Sequence, residues 1–116
     1  MERTEEGKYK VIITIPAEKH FYELLDYFYE HYPLDRAEEI ANELRSTAKS
    51  LEDQPERGAP EIKLSHRQQK YRYILYKRTP RADIKIIYYI NIKINTVYIT
   101  DFFPTEKDNR IISERN

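Results

Sequence analysis

Cysteine is absent from the sequence, which removes disulfide frameworks, thiolate metal sites and cysteine nucleophiles and points to a reducing compartment, the cytoplasm. Glycine occurs only as Gly7 and Gly58, and no GxSxG elbow is present. P-loop or Rossmann-type nucleotide binding and serine-hydrolase chemistry therefore lose their sequence basis. The three histidines, His20, His31 and His66, lack the i, i+3 or i, i+4 spacing that brings two ligands onto one metal, so neither a metal nor another cofactor is expected. No apolar run approaches the roughly 20 residues of a membrane span. The start, Met1-Glu2-Arg3-Thr4-Glu5-Glu6, is acidic and polar where a signal peptide is basic and then apolar. The expectation is a cytoplasmic protein that does not engage a membrane.

What is present is a strong alternation of patterns along 116 residues, a length that suits one domain spanning 1–116 with loose tails at 1–8 and 104–116. Three segments, 71–77, 84–90 and 96–103, are rich in β-branched and aromatic residues and are separated by breaks of hairpin length, which predicts a three-stranded antiparallel meander. Ahead of it, 9–15 alternates with period two and predicts a strand with Tyr9, Val11, Ile13 and Ile15 on one face. After Pro16, Phe21, Leu24, Leu25, Phe28 and Tyr32 fall on a helical stripe that Pro33 closes. A second stripe follows in Ala37, Ile40, Ala41, Leu44, Ala48 and Leu51, with Asp35 and Glu38 spaced as a capping box and Pro55 and Gly58 marking the exit. Residues 56–70 read as a loop in which 61–64 adds a short edge strand. The fold class is α+β: a strand, an antiparallel helix hairpin, then the meander, in one sheet.

Net charge is zero, yet the charges are divided. Residues 17–56 hold eleven acids and four bases, whereas 63–93 hold nine bases and the single acid Asp83. Lysine, arginine and tyrosine interleave in that second stretch, a composition that can clamp phosphates and stack bases, or attract an acidic protein segment. Arg67, Lys70, Arg72, Lys77 and Lys85 are the residues selected for such contacts. The competing reading is that Tyr73, Leu75, Ile86, Tyr88, Val97 and Ile99 are core positions and the charges a solvated face.

The order of elements and a set of local motifs resemble the RelE/ParE superfamily of bacterial type II toxin-antitoxin modules, also called plasmid-stabilisation toxins. The residues that carry the resemblance are Val11-Ile12-Ile13-Thr14 with Pro16-Ala17-Glu18, Leu24-Leu25-Asp26-Tyr27, Ala37-Glu38-Glu39, Leu51-Glu52-Asp53-Gln54-Pro55-Glu56-Arg57-Gly58, Tyr71-Arg72, Ile86-Ile87-Tyr88-Tyr89 and Val97-Tyr98-Ile99. The resemblance implies a growth-inhibiting toxin neutralised by a cognate antitoxin. RelE-like members cut mRNA on the ribosome with basic residues plus an Arg, His or Tyr near the end of the last strand, while ParE-like members lack that set and inhibit DNA gyrase. Arg72 matches the family's strand arginine and is the one catalytic candidate. At the exit of the last strand this chain instead reads Asp101-Phe102-Phe103-Pro104-Thr105-Glu106-Lys107, and neither Glu106 nor Tyr98 matches the nuclease pattern. Gyrase inhibition is therefore the leading expectation. An mRNA endonuclease and a non-toxic relative that acts as a protein-interaction module are the alternatives.

Overall fold

The structure, a computed structural model, describes residues 8–79 and 82–116. The first strand, β1 (Lys10–Ile13), ends earlier than its alternation predicts because Thr14 turns the chain. The Thr14 N–H donates to Ile99 O (3.0 Å) and its hydroxyl to the same oxygen (2.8 Å), while that hydroxyl caps the first helix by accepting from Ala17 N. Ile15, expected on the strand's apolar face, is instead the first residue of α1 (Ile15–His31) and is 83% exposed. Pro16 sits in that first turn, where a missing N–H costs nothing. Ala17, Phe21, Leu24, Leu25 and Phe28 of α1 are buried.

The second helix, α2 (Leu34–Lys49), begins one residue ahead of the expected cap, with Pro33 at the N-cap position and no side-chain cap. Asp35 lies within the first turn, where its charge still favours the helix dipole. Ala37, Ile40, Ala41, Leu44 and Ala48 are buried, and Leu51 follows in a 3₁₀ turn at Ser50–Glu52. After a second such turn, Pro55–Arg57, the edge strand β2 (Ala59–Pro60) appears just upstream of its expected place. Residues 61–64 are not a strand: the Glu61 carboxylate accepts from Lys63 N and bends Ile62–Leu64 into a 3₁₀ turn that drives Leu64 inward.

The meander is as expected, in β3 (Arg72–Thr79), β4 (Ala82–Asn91) and β5 (Thr96–Pro104). The sheet order is β1-β5-β4-β3-β2, with β1 parallel to β5 and the other pairs antiparallel. Both helices cover one face, where Phe28, Ile40 and Leu44 meet Tyr76, Ile84, Ile86, Tyr88, Val97, Ile99 and Phe102. Pairing of Tyr88 with Ile99 and of Ile87 with Asp101 leaves Thr100 unmatched in the β4–β5 register, a bulge that resets the alternation so that Phe102 continues the helix-facing row of Val97 and Ile99. Tyr73 and Leu75, expected in the core, face the other way, and Leu75 is 48% exposed.

That other face carries a smaller core of Leu64, Ile87, Phe103 and Ile112. Ile112 opens α3 (Ile112–Arg115), so residues 104–116, expected as a loose tail, are built into the fold. The reason lies in long-range anchors that composition does not display. Arg115 Nη2 lies 2.7 Å from the buried Asp101 Oδ1, Asn116 Nδ2 donates to Asp101 Oδ2 (3.0 Å), and Asn116 also pairs with the Thr100 hydroxyl. The expected loose segment at 1–8 lies outside the described residues except for Lys8, which pairs with Glu52 (3.3 Å).

Candidate functional site

The basic residues selected from the sequence do not gather into one patch. Strand alternation puts Lys77 and Lys85 on the face away from the helices and Arg72 on the helix-facing side. Most are occupied by the chain itself. Arg72 Nη1 donates to Glu56 O (3.1 Å) and Gly58 O (2.8 Å), tying β3 to the loop that leaves α2. Arg67 donates through Nη1 and Nη2 to Asn116 O (2.5 Å) and Ser113 O (2.6 Å), capping α3. Lys85 Nζ lies 2.9 Å from Glu61 Oε1 in a pair almost closed to water, and stands 4.3 Å from the centre of the Tyr73 ring. Lys77 reaches Asp83 at 3.3 Å in the open. Of the five, only Lys70 has no ionic or hydrogen-bonded side-chain partner among the described residues. Arg81, part of the same basic stretch, lies outside the described residues. Tyr98 stacks on Tyr89, ring centres 5.3 Å apart, on the face away from the helices.

A different group converges where β5 runs beyond the end of β1 and α1 covers it. Here a cleft of about 310 Å³ opens between α1 and the ends of β3 and β5. Its apolar wall is Leu24, Tyr27, Phe102 and Pro104; His20, Glu23, Arg78, Glu106, Lys107 and Arg115 supply the polar lining. His20 Nδ1 stands 3.0 Å from Oδ1 of the fully buried Asp101, which also receives Arg115. The contact is close but not aligned as a hydrogen bond, and both His20 Nδ1 and Arg115 Nε are buried without a hydrogen-bond partner among the described residues. With Nδ1 buried against that carboxylate, Nε2 is the ring nitrogen left to meet a ligand.

On the opposite wall Arg78, whose side chain is 6% exposed, donates to the Tyr32 hydroxyl (2.8 Å) and to Glu106 Oε2 (2.5 Å), while its guanidinium lies over the rings of Tyr27 and Phe28. Burial opposes its charge, but Glu106 and Tyr32 outweigh burial and raise its pKa above the ordinary arginine value. Glu106 itself is half in water. The arrangement offers an imidazole beside a buried carboxylate, the buried guanidinium of Arg78, the partly buried one of Arg115, an exposed lysine and two glutamates around an apolar floor.

Sequence reasoning did not assemble this group because its members come from α1, β3, β5, the loop after β5, and α3. Two signals were nevertheless present. Asp101 is the one charged residue within the strand-forming 96–103 run, and a buried carboxylate requires partners. Arg78 shares strand parity with Ile74 and Tyr76 and so points inward.

Among the described residues no group of three or more His, Cys, Asp or Glu side chains is placed to hold a metal ion, and no helix is long and apolar enough to cross a membrane. Residues 11–109 match the family model described as ParE toxin of type II toxin-antitoxin system, parDE. No curated protein and no solved structure matches the chain.

Proposed function

The chain belongs to the ParE toxin family of type II toxin-antitoxin systems, and from that premise we propose that it arrests growth in the cytoplasm by inhibiting DNA gyrase until a cognate antitoxin neutralises it. Membership itself makes the protein the toxin component of such a module. The observation that favours gyrase over RNA is the state of the basic residues. Arg72, Arg67 and Lys85 are held by oxygens of their own chain, and a phosphate would have to displace those contacts before it could bind. Inducible expression in a bacterial host, with DNA replication and translation followed in parallel, tests the reading. Gyrase inhibition predicts that replication halts first, that purified protein blocks supercoiling, and that ribosome-bound mRNA stays intact.

The cleft favours a second reading, ribosome-dependent RNA cleavage. Nε2 of His20 would take the proton from a 2′-hydroxyl as its oxygen attacks the adjacent phosphorus; the P–O5′ bond breaks, leaving a 2′,3′-cyclic phosphate, and the departing 5′-oxygen takes a proton from solvent, with Arg78, Arg115 and Lys107 near the charge that develops. In that case translation stops first, mRNA fragments accumulate, and His20→Ala removes both effects while the protein stays folded. Growth that continues under full expression of folded protein would instead leave a non-toxic interaction module.

A further inference from the structure

We propose that the cleft between α1 and the ends of β3 and β5 is the receptor for an acidic side chain of a protein partner, and that Glu106 occupies it in the free chain as an internal stand-in. The inference rests on the reading that the chain is neutralised by another protein, and it names the chemistry of one contact. A nearly buried guanidinium is costly unless a carboxylate answers it, and in Arg78 that carboxylate is supplied from a half-exposed loop residue. The two ends of the pair are thus unequal: Arg78 is fixed by Tyr32 and by the rings of Tyr27 and Phe28, whereas Glu106 reaches in from a turn in contact with water. An incoming carboxylate that replaces it meets a preformed fork and frees Glu106 into solvent.

Charge and shape narrow the occupant. With Glu106 withdrawn, Arg78, Arg115 and Lys107 outnumber Asp101 and Glu23 by one, which suits a single carboxylate and not a doubly charged phosphate. At about 310 Å³ the cleft is at the lower end of the roughly 300–1,000 Å³ of ligand pockets. Its walls of Leu24, Tyr27, Phe102 and Pro104 favour an apolar neighbour next to the acid. A glutamate flanked by apolar side chains on an extended or helical segment has those features. Arg72 and Lys85 on the sheet, by contrast, already give donors to oxygens of their own chain.

The test is a titration of the full chain with the blocked tripeptide leucyl-glutamyl-phenylalanine amide, followed through amide and side-chain NMR signals. Saturable shifts confined to His20, Arg78, Lys107 and their neighbours are expected. The glutaminyl counterpart should bind about tenfold or more weakly, the effect of one charge-assisted hydrogen bond. Glu106→Gln should tighten the glutamyl peptide by a similar factor, and Lys107→Glu, at an exposed position that leaves the fold unchanged by circular dichroism, should weaken it. Equal binding of the two peptides, or no shift with either the natural chain or Glu106→Gln, overturns the proposal. Equal binding of 3-phenylpropionate overturns the peptide assignment by making the cleft a small-acid site. The growth assay is independent: a chain that arrests growth yet ignores the peptide removes this inference and leaves the toxin reading standing.

Discussion

Replacing Gly58 by alanine places a methyl group where the fold has no room for it. An added Cβ would stand 2.2 Å from the Tyr88 hydroxyl, 2.8 Å from Tyr73 O and 3.0 Å from Tyr88 Cζ. The backbone is not the obstacle, since Gly58 has φ −73° and ψ 158°, which alanine adopts freely. Alanine would even gain about 0.4–1 kcal/mol by restricting the unfolded chain. Tyr88, however, is fully buried and its hydroxyl donates to Pro55 O at 2.5 Å. Pushing the ring aside breaks that bond, at about 1–3 kcal/mol for a buried acceptor left unpaired, and overpacks the site by about 1–3 kcal/mol more. The expected net loss is about 1–5 kcal/mol, read as a shift in urea midpoint at constant slope. Tyr88→Phe alone forfeits the same hydrogen bond and should cost about 1–3 kcal/mol. In the double variant the hydroxyl that the methyl strikes is gone and the bond is lost only once, so its loss should fall short of the sum of the two single losses by at least about 1 kcal/mol. Rescue is partial because Tyr73 O remains. Additivity within about 0.3 kcal/mol would show that Gly58 and Tyr88 do not collide, and the reasoning would fail.

Leu44→Ala, at a fully buried position of α2, should destabilise the fold by about 2–5 kcal/mol, and a loss under about 0.5 kcal/mol in denaturant melts would contradict the helix packing. Arg72→Ala removes two hydrogen bonds to backbone carbonyls and should lower stability by about 1–2 kcal/mol while growth arrest persists at equal folded concentration; arrest that disappears with the fold intact would restore a catalytic role. Tyr88, chiefly through burial, and Tyr76, through burial and then its hydrogen bond to Glu43, ionise above their ordinary value in the folded chain. Unfolded tyrosines lose their protons near pH 10, so above that the unfolded state binds fewer protons and stability falls as pH rises. Melting midpoints should be insensitive to these groups up to about pH 9 and decline beyond about pH 10, with at least two tyrosines titrating late by ultraviolet absorbance; a midpoint level to pH 11 contradicts the assignment.

The periodic parts of this chain were legible because periodicity is local. The stripes of α1 and α2 and the three meander strands follow from spacing alone, and Tyr88 and Ile86 are core residues as a strand pattern demands. What escaped depends on contacts between distant residues. The cap of α2 failed because Pro33 lets Leu34 enter the helix at once, and the supposed tail failed because its anchors, Asp101 and Arg67, lie in other elements. The site suffered most. A count of lysines and arginines cannot tell Arg72, consumed by two carbonyls, from Arg78, held at the wall of a cleft; that distinction rests on register and on where α1 crosses β5.

The parallel pairing of β1 with β5 has a kinetic side. Val11 finds its partner Val97 only after both helices, the loop beyond them and two strands of the meander have been made. During synthesis β1 has no neighbour, and the helix hairpin lacks the Val97, Ile99 and Phe102 row on which it rests. Closing so long a segment is entropically slow, and the native surface cannot exist before Thr96–Pro104 has emerged. In this topology the native surface is completed only when the last strand has been made, so a partner that recognises that surface meets it only after nearly the whole chain has been synthesised.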